Sequence, residues 1–151
     1  MIIPAQTLRE LRPISPFTER TRHHGMTFGL SPAGYDIRIA EQVTLSWRRR
    51  FVLASSIERF DMPNDLIAQV CDKSTWARRG VAMLNTIVEP GWRGHLTLEL
   101  TYWCWRTLRI AAGSPIAQIV FSRLEAPTEQ PYAGKYQDQR AGPVPAILEA
   151  E

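Results

Sequence analysis

The stretch "EPGWRGHLTLEL", residues 89–100, decides how this chain folds and raises the question of what it does. It opens on a Pro-Gly turn signal and an aromatic. It then alternates, so that Leu96, Leu98 and Leu100 share one face of a strand while His95, Thr97 and Glu99 share the other. Glutamate is disfavoured in mid-strand, and burying a carboxylate is costly unless it is paired or put to use. What else reaches the face of Glu99 therefore determines the function.

Working outward, most of the chain reads the same way. "YDIRIA", "QVTLSW", "RFVLASSIERF", "DLIAQVCDK", "VAMLNTIV", "LRIAAG" and "PIAQIVFSRL" are short runs rich in β-branched and aromatic residues, separated by turns such as "DMPND" and "AAGSP". Two segments have helical character: "PAQTLRELRP", with Gln6 or Thr7 as its start, and "STWARRG" (74–80), with Ser74 placed to cap and Gly80 to end it. "ISPFTERTRHHGMTFGLSPAGYD" reads as loop and turn leading into a strand. Residues 126–151, rich in Pro, Gly and Gln without a period, read as a C-terminal arm ordered only where something holds it. The pattern predicts an all-β protein: a distorted β-barrel or double-sheet jelly roll with one short inserted helix and a short N-terminal helix, in a single domain over residues 1–151.

With 44% apolar and 22% charged residues, the composition is that of a folded domain rather than a disordered chain. No apolar run approaches a membrane span, and "MIIPAQTLRELRP" lacks the apolar core of a signal peptide, which predicts a cytoplasmic protein with no membrane partner. Cys71 and Cys104, without a C-x-x-C, encode neither a disulfide framework nor a zinc knuckle and read as buried thiols. The net charge of +3 suits any polyanionic partner, from a nucleoside triphosphate to nucleic acid, and does not choose between them.

Several chemistries lack their motif. Zinc-dependent nucleobase deaminases need H-x-E and P-C-x-x-C, and P-loops and hydrolase elbows need their glycine-rich turns; none is present. Instead "DKSTWARRG" sets Lys73, Ser74 and Thr75 at the start of a helical turn, where free N–H groups favour an anion, with Arg78 four residues beyond Ser74 on the same face. That arrangement reads as a phosphate cradle.

"PAGYDIR" (32–38), "DKSTWARRGV" (72–81), "EPGWRGHLTLEL" (89–100), "GSPIAQIVF" (113–121) and "PYAGKYQDQ" (131–139) occur in the order, and with nearly the spacing, of the dCTP deaminase and dUTPase superfamily, which the chain resembles over residues 26–142. Three features resemble the deaminases rather than the dUTPases. Glu99 stands where dUTPases have an apolar residue, Glu89 where they have a water-activating Asp, and Lys135, Tyr136 and Gln139 match the deaminases' K-Y-x-x-Q.

The resemblance implies zinc-independent deamination of dCTP to dUTP and ammonia, with Glu99 as general acid/base in a site that Ser74 and Arg78 complete. Lys73, Ser74 and Thr75 would hold phosphates, with Gln118 near them, and Tyr132 and Lys135 of the arm would close over the triphosphate. Trp92 would stack under the deoxyribose, Glu89 would accept from its 3′-hydroxyl, and Gln139 and the backbone of Thr97 and Leu98 would read the base. Magnesium would arrive with the nucleotide, held by phosphate oxygens and water. The family also implies a homotrimer with sites between subunits, dUTP and dTTP as product or inhibitor, and no nucleic-acid partner. Asp36 reads as a turn or inter-strand ion-pair residue, and His95 as structural.

Some features depart from the deaminase pattern. Lys73 replaces an Arg and loses its bidentate fork. "VAMLNTIV" is shorter than its counterpart, which leaves Asn85 only a candidate for the backbone carbonyl that holds the attacking water. The competing readings are a dUTP diphosphatase or bifunctional enzyme, and a non-catalytic nucleotide-binding regulator.

Overall fold

The computed structural model describes residues 1–149, so the last two positions of the expected arm lie outside the described residues. Helix α1 (Ala5–Leu11) starts earlier than Gln6 or Thr7, because Pro4 serves as its N-cap and Ala5 already has helical geometry. It stops at Arg12, whose φ of 46° is left-handed, and it is anchored by buried Leu8.

The segment expected to be loop contains strands β1 (Ile14–Ser15), β2 (Thr21–His23) and β3 (Met26–Ser31). β2 and β3 form a hairpin. His24 and Gly25 turn it with φ of 48° and 72°, the paired positive values that match strand twist in a two-residue turn. This His-Gly pair is the signal that a compositional reading passes over.

β4 (Gly34–Arg38), β5 (Val43–Leu45), β6 (Phe51–Asp61) and β7 (Leu66–Asp72) follow as the alternation predicts. Next comes α2 (Ser74–Ala77), a single turn whose N-cap is Lys73 rather than Ser74. "VAMLNTIV", which reads as one run, is two strands: β8 (Val81–Met83) and β9 (Ile87–Val88). They belong to different sheets, so the chain crosses from one to the other at 84–86. β10 (Arg93–Tyr102), β11 (Leu108–Ile110) and β12 (Pro115–Arg123) complete the order.

The strands make a four-stranded sheet β1-β6-β10-β8, a six-stranded sheet β2-β3-β4-β12-β7-β9 and a β11-β5 pair. Their inner faces bury Tyr35, Ile37, Phe60, Leu98, Leu100 and Phe121 almost completely, each such side chain contributing roughly 1.5–3 kcal/mol by leaving water. This is the expected all-β, double-sheet arrangement with two short helices. Among the described residues no helix is long and apolar enough to cross a membrane. The thiols differ from expectation: Cys71 is only half-buried on β7, and Cys104 is exposed in the turn after β10, where neither sheet covers it.

The β6–β10 pairing positions the site. Leu98 faces Ala54, Glu99 faces Leu53 and Leu100 faces Val52, but the register slips between His95 and Thr97. Across the slip β10 advances from His95 to Thr97 while β6 runs from Arg59 to Ser55, so β6 carries extra residues there, an irregularity that bends the pair and re-aims its neighbours. Leu96, expected beside Leu98 in the core, is turned into a cavity wall with Thr97 and Glu99.

At the same bend Gly94 adopts a φ of 144° and forms a parallel bridge with Gln139 of the arm. A Cβ at Gly94 would lie 2.7 Å from the Gln139 nitrogen and 2.9 Å from its carbonyl oxygen. Those are backbone atoms that cannot rotate away. Gly94→Ala is therefore expected to lift the arm from β10, which limited proteolysis would register as faster cleavage within 131–147. An arm equally protected in the variant would mean that this close approach does not hold it.

Candidate functional site

The arm is held against its own sheet by a ladder of specific bonds. Trp92 Nε1 donates to the Tyr136 carbonyl at 2.7 Å, and Arg93 N to Gln137 Oε1 at 2.8 Å. His95 N donates to the Gln139 carbonyl at 2.9 Å, and Val144 N to Thr97 Oγ1 at 3.0 Å. Gln137 Nε2 reaches the carbonyls of Gly91 and Tyr132 at 2.9 and 3.0 Å. Two of these, from Arg93 N and His95 N, use backbone groups of β10 beyond the reach of β8, which pairs only with Leu100–Tyr102.

Between β10, the 85–89 segment and the docked arm lies a cavity of about 600 Å³. Glu99, Glu89, Trp92, Thr97, Tyr132 and Gln139, all expected site residues, line it together. Glu99 is half-buried and has no ion-pair partner among the described residues. Apolar Phe51, Leu53 and Leu96 form the wall near it; Leu53 is its direct cross-strand neighbour. The Glu99 carboxylate therefore faces the cavity beside apolar side chains, with no cation fixed against it among the described residues.

Trp92 is mostly interior: its ring packs 5.9 Å from Phe60, and only a rim reaches the cavity. Gln139 Nε2 donates to the Thr97 hydroxyl, which ties the arm to the strand inside the cavity. The Thr97 carbonyl accepts from Asn85 Nδ2 at 2.7 Å and so is already engaged. Leu98 belongs to the core face and is absent from the wall.

A second, polar cavity of about 270 Å³ lies on the six-stranded sheet. It gathers Lys73, Ser74 and Gln118 with Arg20, Ser31 and Asp36. Lys73 Nζ stands 2.7 Å from Asp36 Oδ2, both side chains almost fully buried. Asp36 is thus the ion-pair residue it was read as, although it also lines this cavity. Burial pushes its carboxyl above the ordinary aspartate range, and the Lys73 hydrogen bond only partly opposes this.

The expected site is consequently divided. Glu99, Glu89 and Trp92 share one cavity, and Lys73, Ser74 and Gln118, expected at phosphates, share another. Thr75, Arg78 and Lys135 line neither and are exposed. Lys135 lies instead over its neighbour's ring, 5.5 Å from the centre of Tyr136. His95 faces the Ser56 carbonyl at 3.2 Å, consistent with a structural role. Val144, Phe51 and Leu53 belong to the wall without having been singled out, and so does Tyr136, which was matched to a motif but given no role in the site. For Phe51 and Leu53 a signal existed, since β6 alternation puts them opposite Thr101 and Glu99. For Val144 there was none, because an aperiodic arm does not reveal where it docks.

The curled double-sheet β arrangement is a dUTPase-like fold. Solved structures share that fold. A dUTPase from EIAV superposes with a TM-score of 0.58 at 15% identity, covering 81% of this chain and 98% of that one. A 2′-deoxycytidine 5′-triphosphate deaminase from Agrobacterium tumefaciens does so at 0.64 and 16% identity, covering 82% of this chain and 48% of that one.

Sequence comparison narrows the class. The family model described as dCTP deaminase-like matches residues 36–124. A dCTP deaminase from Campylobacter fetus is 33% identical over 92% of this chain and 92% of its own length. One from Pyrococcus horikoshii is 32% identical over 91% and 92%. The chain belongs to the dCTP deaminase-like family.

Proposed function

We propose that this protein removes the 4-amino group of dCTP by hydrolysis, giving dUTP and ammonia. The observation that carries the reading is the unpaired, half-buried Glu99 in a cavity that also holds Glu89, Thr97, Tyr132 and Gln139. Water adds to C4 of cytosine while Glu99 takes its proton, and the carboxyl returns that proton to N3. It then accepts the second proton of the new hydroxyl and delivers it to the departing amine. Each transfer restores the state that the next one needs, so one carboxylate serves throughout. The Asn85 carbonyl accepts no hydrogen bond among the described residues, whereas that of Thr86 takes the Val70 N–H at 3.1 Å, which favours Asn85 as the holder of the attacking water.

The division of the site into two cavities supports assembly from more than one copy, with the 73–78 segment of a neighbour completing the Glu99 cavity in a homotrimer. Ser74 and Arg78 then act on the substrate across the subunit boundary, Arg78 being exposed and without an ion-pair partner among the described residues. Exposed Phe51, Leu84 and Ile87 around the Glu99 cavity, and Trp103 and Trp105 beyond it, supply apolar surface for such contacts. Magnesium enters as part of the nucleotide. Among the described residues no three His, Cys, Asp or Glu side chains converge as a cage. The enzyme acts in the cytoplasm.

Incubation with dCTP, dCMP and dUTP in the presence of magnesium, followed by separation of products, tests the function. Formation of dUTP and ammonia is expected. Release of dUMP and diphosphate from dUTP would instead indicate a diphosphatase, and binding without turnover a regulator. Ile87→Glu tests the assembly. A carboxylate on the cavity rim costs several kcal/mol to desolvate between subunits, so sedimentation is expected to show monomers and activity to be lost. A wild-type protein sedimenting as a monomer, with full activity, would exclude the shared site.

A further inference from the structure

The β10 edge loses its strand partner beyond Met83, because β8 pairs only with Leu100–Tyr102. Thr97 and Glu99, the two residues of that edge facing the cavity, would then have open backbone groups. Asn85 fills the gap. Its Nδ2 donates to the Thr97 carbonyl at 2.7 Å, and its Oδ1 accepts from the Glu99 N–H at 2.9 Å. A carboxamide offers the same donor and acceptor as a peptide group, so one side chain substitutes for a residue of missing strand. The adjacent Leu84 N–H continues the pairing, donating to the Glu99 carbonyl at 2.9 Å. Both backbone polar groups of Glu99 are thereby held from the 84–85 segment.

We infer that Asn85 is a positioning residue for the deamination: its carboxamide pins the strand edge that aims the Glu99 carboxylate into the cavity. The inference rests on the functional reading above and adds to it a role for the Asn85 side chain, separate from that of its carbonyl and involving no proton transfer. Neighbouring features give the clamp this importance. The register slip between His95 and Thr97 loosens β10 from β6 just before Glu99. On the N-terminal side the arm, not a strand, covers the edge at Gly94 and His95. On the edge opposite β6, Asn85 is thus the link between the stretch covered by the arm and the β8 ladder that begins at Leu100. It also lines the cavity itself, so its loss would leave the Thr97 carbonyl and Glu99 N–H facing the substrate space. A misplacement of about 1 Å in a reacting group can cost about 10² in rate.

Asn85→Leu keeps the volume and removes both bonds; Asn85→Ala removes the bonds with less risk of overpacking. In either, the expected result is a fall in kcat for ammonia release of about 10- to 100-fold, with KM for dCTP changed less than about threefold. Hydrogen exchange followed by mass spectrometry or NMR should show the Glu99 amide losing protection at least tenfold, while amides of β12 are unchanged. A role in stability alone predicts a lower unfolding temperature with kcat per folded molecule intact, and that outcome overturns the inference. So does a Glu99 amide equally protected in the variants. Because exchange is read without substrate, it tests the clamp even if the wild-type protein fails to release ammonia from dCTP, a failure that would count against the functional reading instead.

Discussion

Glu99→Gln is expected to abolish ammonia release from dCTP, reducing turnover by about 10²–10⁴-fold while nucleotide binding persists. The magnitude is that of one positioned acid/base group, and the amide of Gln keeps the shape and one acceptor of the carboxylate but can neither take nor return a proton. The surroundings make this substitution clean. Glu99 has no ion-pair partner among the described residues whose charge would be orphaned, and its backbone bonds to Leu84 and Asn85 do not involve the side chain that changes. Unfolding temperature should therefore match the wild type. Quenched-flow or steady-state assay of ammonia, alongside calorimetric titration with dCTP, separates the two effects. Unchanged turnover in this variant would remove the mechanism.

Lys73→Met should have the largest effect on stability, about 3–5 kcal/mol at neutral pH, because it strips the counter-charge from a buried carboxylate. Asp36 and Lys73 are 10% and 9% exposed and 2.7 Å apart. Burial already raises the Asp36 carboxyl above its ordinary 3.8, and the hydrogen bond from Lys73 is the largest influence opposing that rise. Without the lysine the folded-state value climbs further above the unfolded one. A group shifted upward in this way contributes stability that is complete below its unfolded value and lost as pH rises through the folded one. The deficit of Lys73→Met should accordingly be small in acid and grow from the ordinary aspartate range toward neutrality. Urea unfolding of wild type and variant across that range measures it. Adding Asp36→Leu should recover most of the loss, since a packed apolar pair is often as stable as a buried ionic one. Equal stability of Lys73→Met and wild type at neutral pH would mean that the pair does not form. The pairing also bears on phosphate recognition, because the ammonium assigned to the triphosphate by resemblance already has a carboxylate against it.

Strand content was legible because alternation is a local property. Leu98 and Leu100 are completely buried, as their period demands, and the Pro-Gly-Trp turn before them is where it was read. Departures arose where a neighbour overrode the period. The slip between His95 and Thr97 moved Leu96 from the core to the cavity, and no single strand encodes the register it adopts against another. "VAMLNTIV" has the composition of one strand, yet its halves pair with β10 and β7 in different sheets. Asn85, at the break, is singled out in sequence only for its backbone carbonyl, because nothing local shows that its side chain bonds across to Thr97 and Glu99.

By itself, the sequence of this protein determined an all-β fold, its family, and the carboxylate at position 99, because residue periodicity and ordered motifs survive without knowledge of partners. Tertiary structure alone decided that Lys73 is paired with Asp36, that the arm packs on β10 with Gln139 bonded to Thr97, and that Glu99 lines one cavity while Lys73, Ser74 and Gln118 line another. Each of these is a contact between segments far apart in the chain. Such contacts are set by the register and curvature of whole sheets rather than by the residues on either side of them.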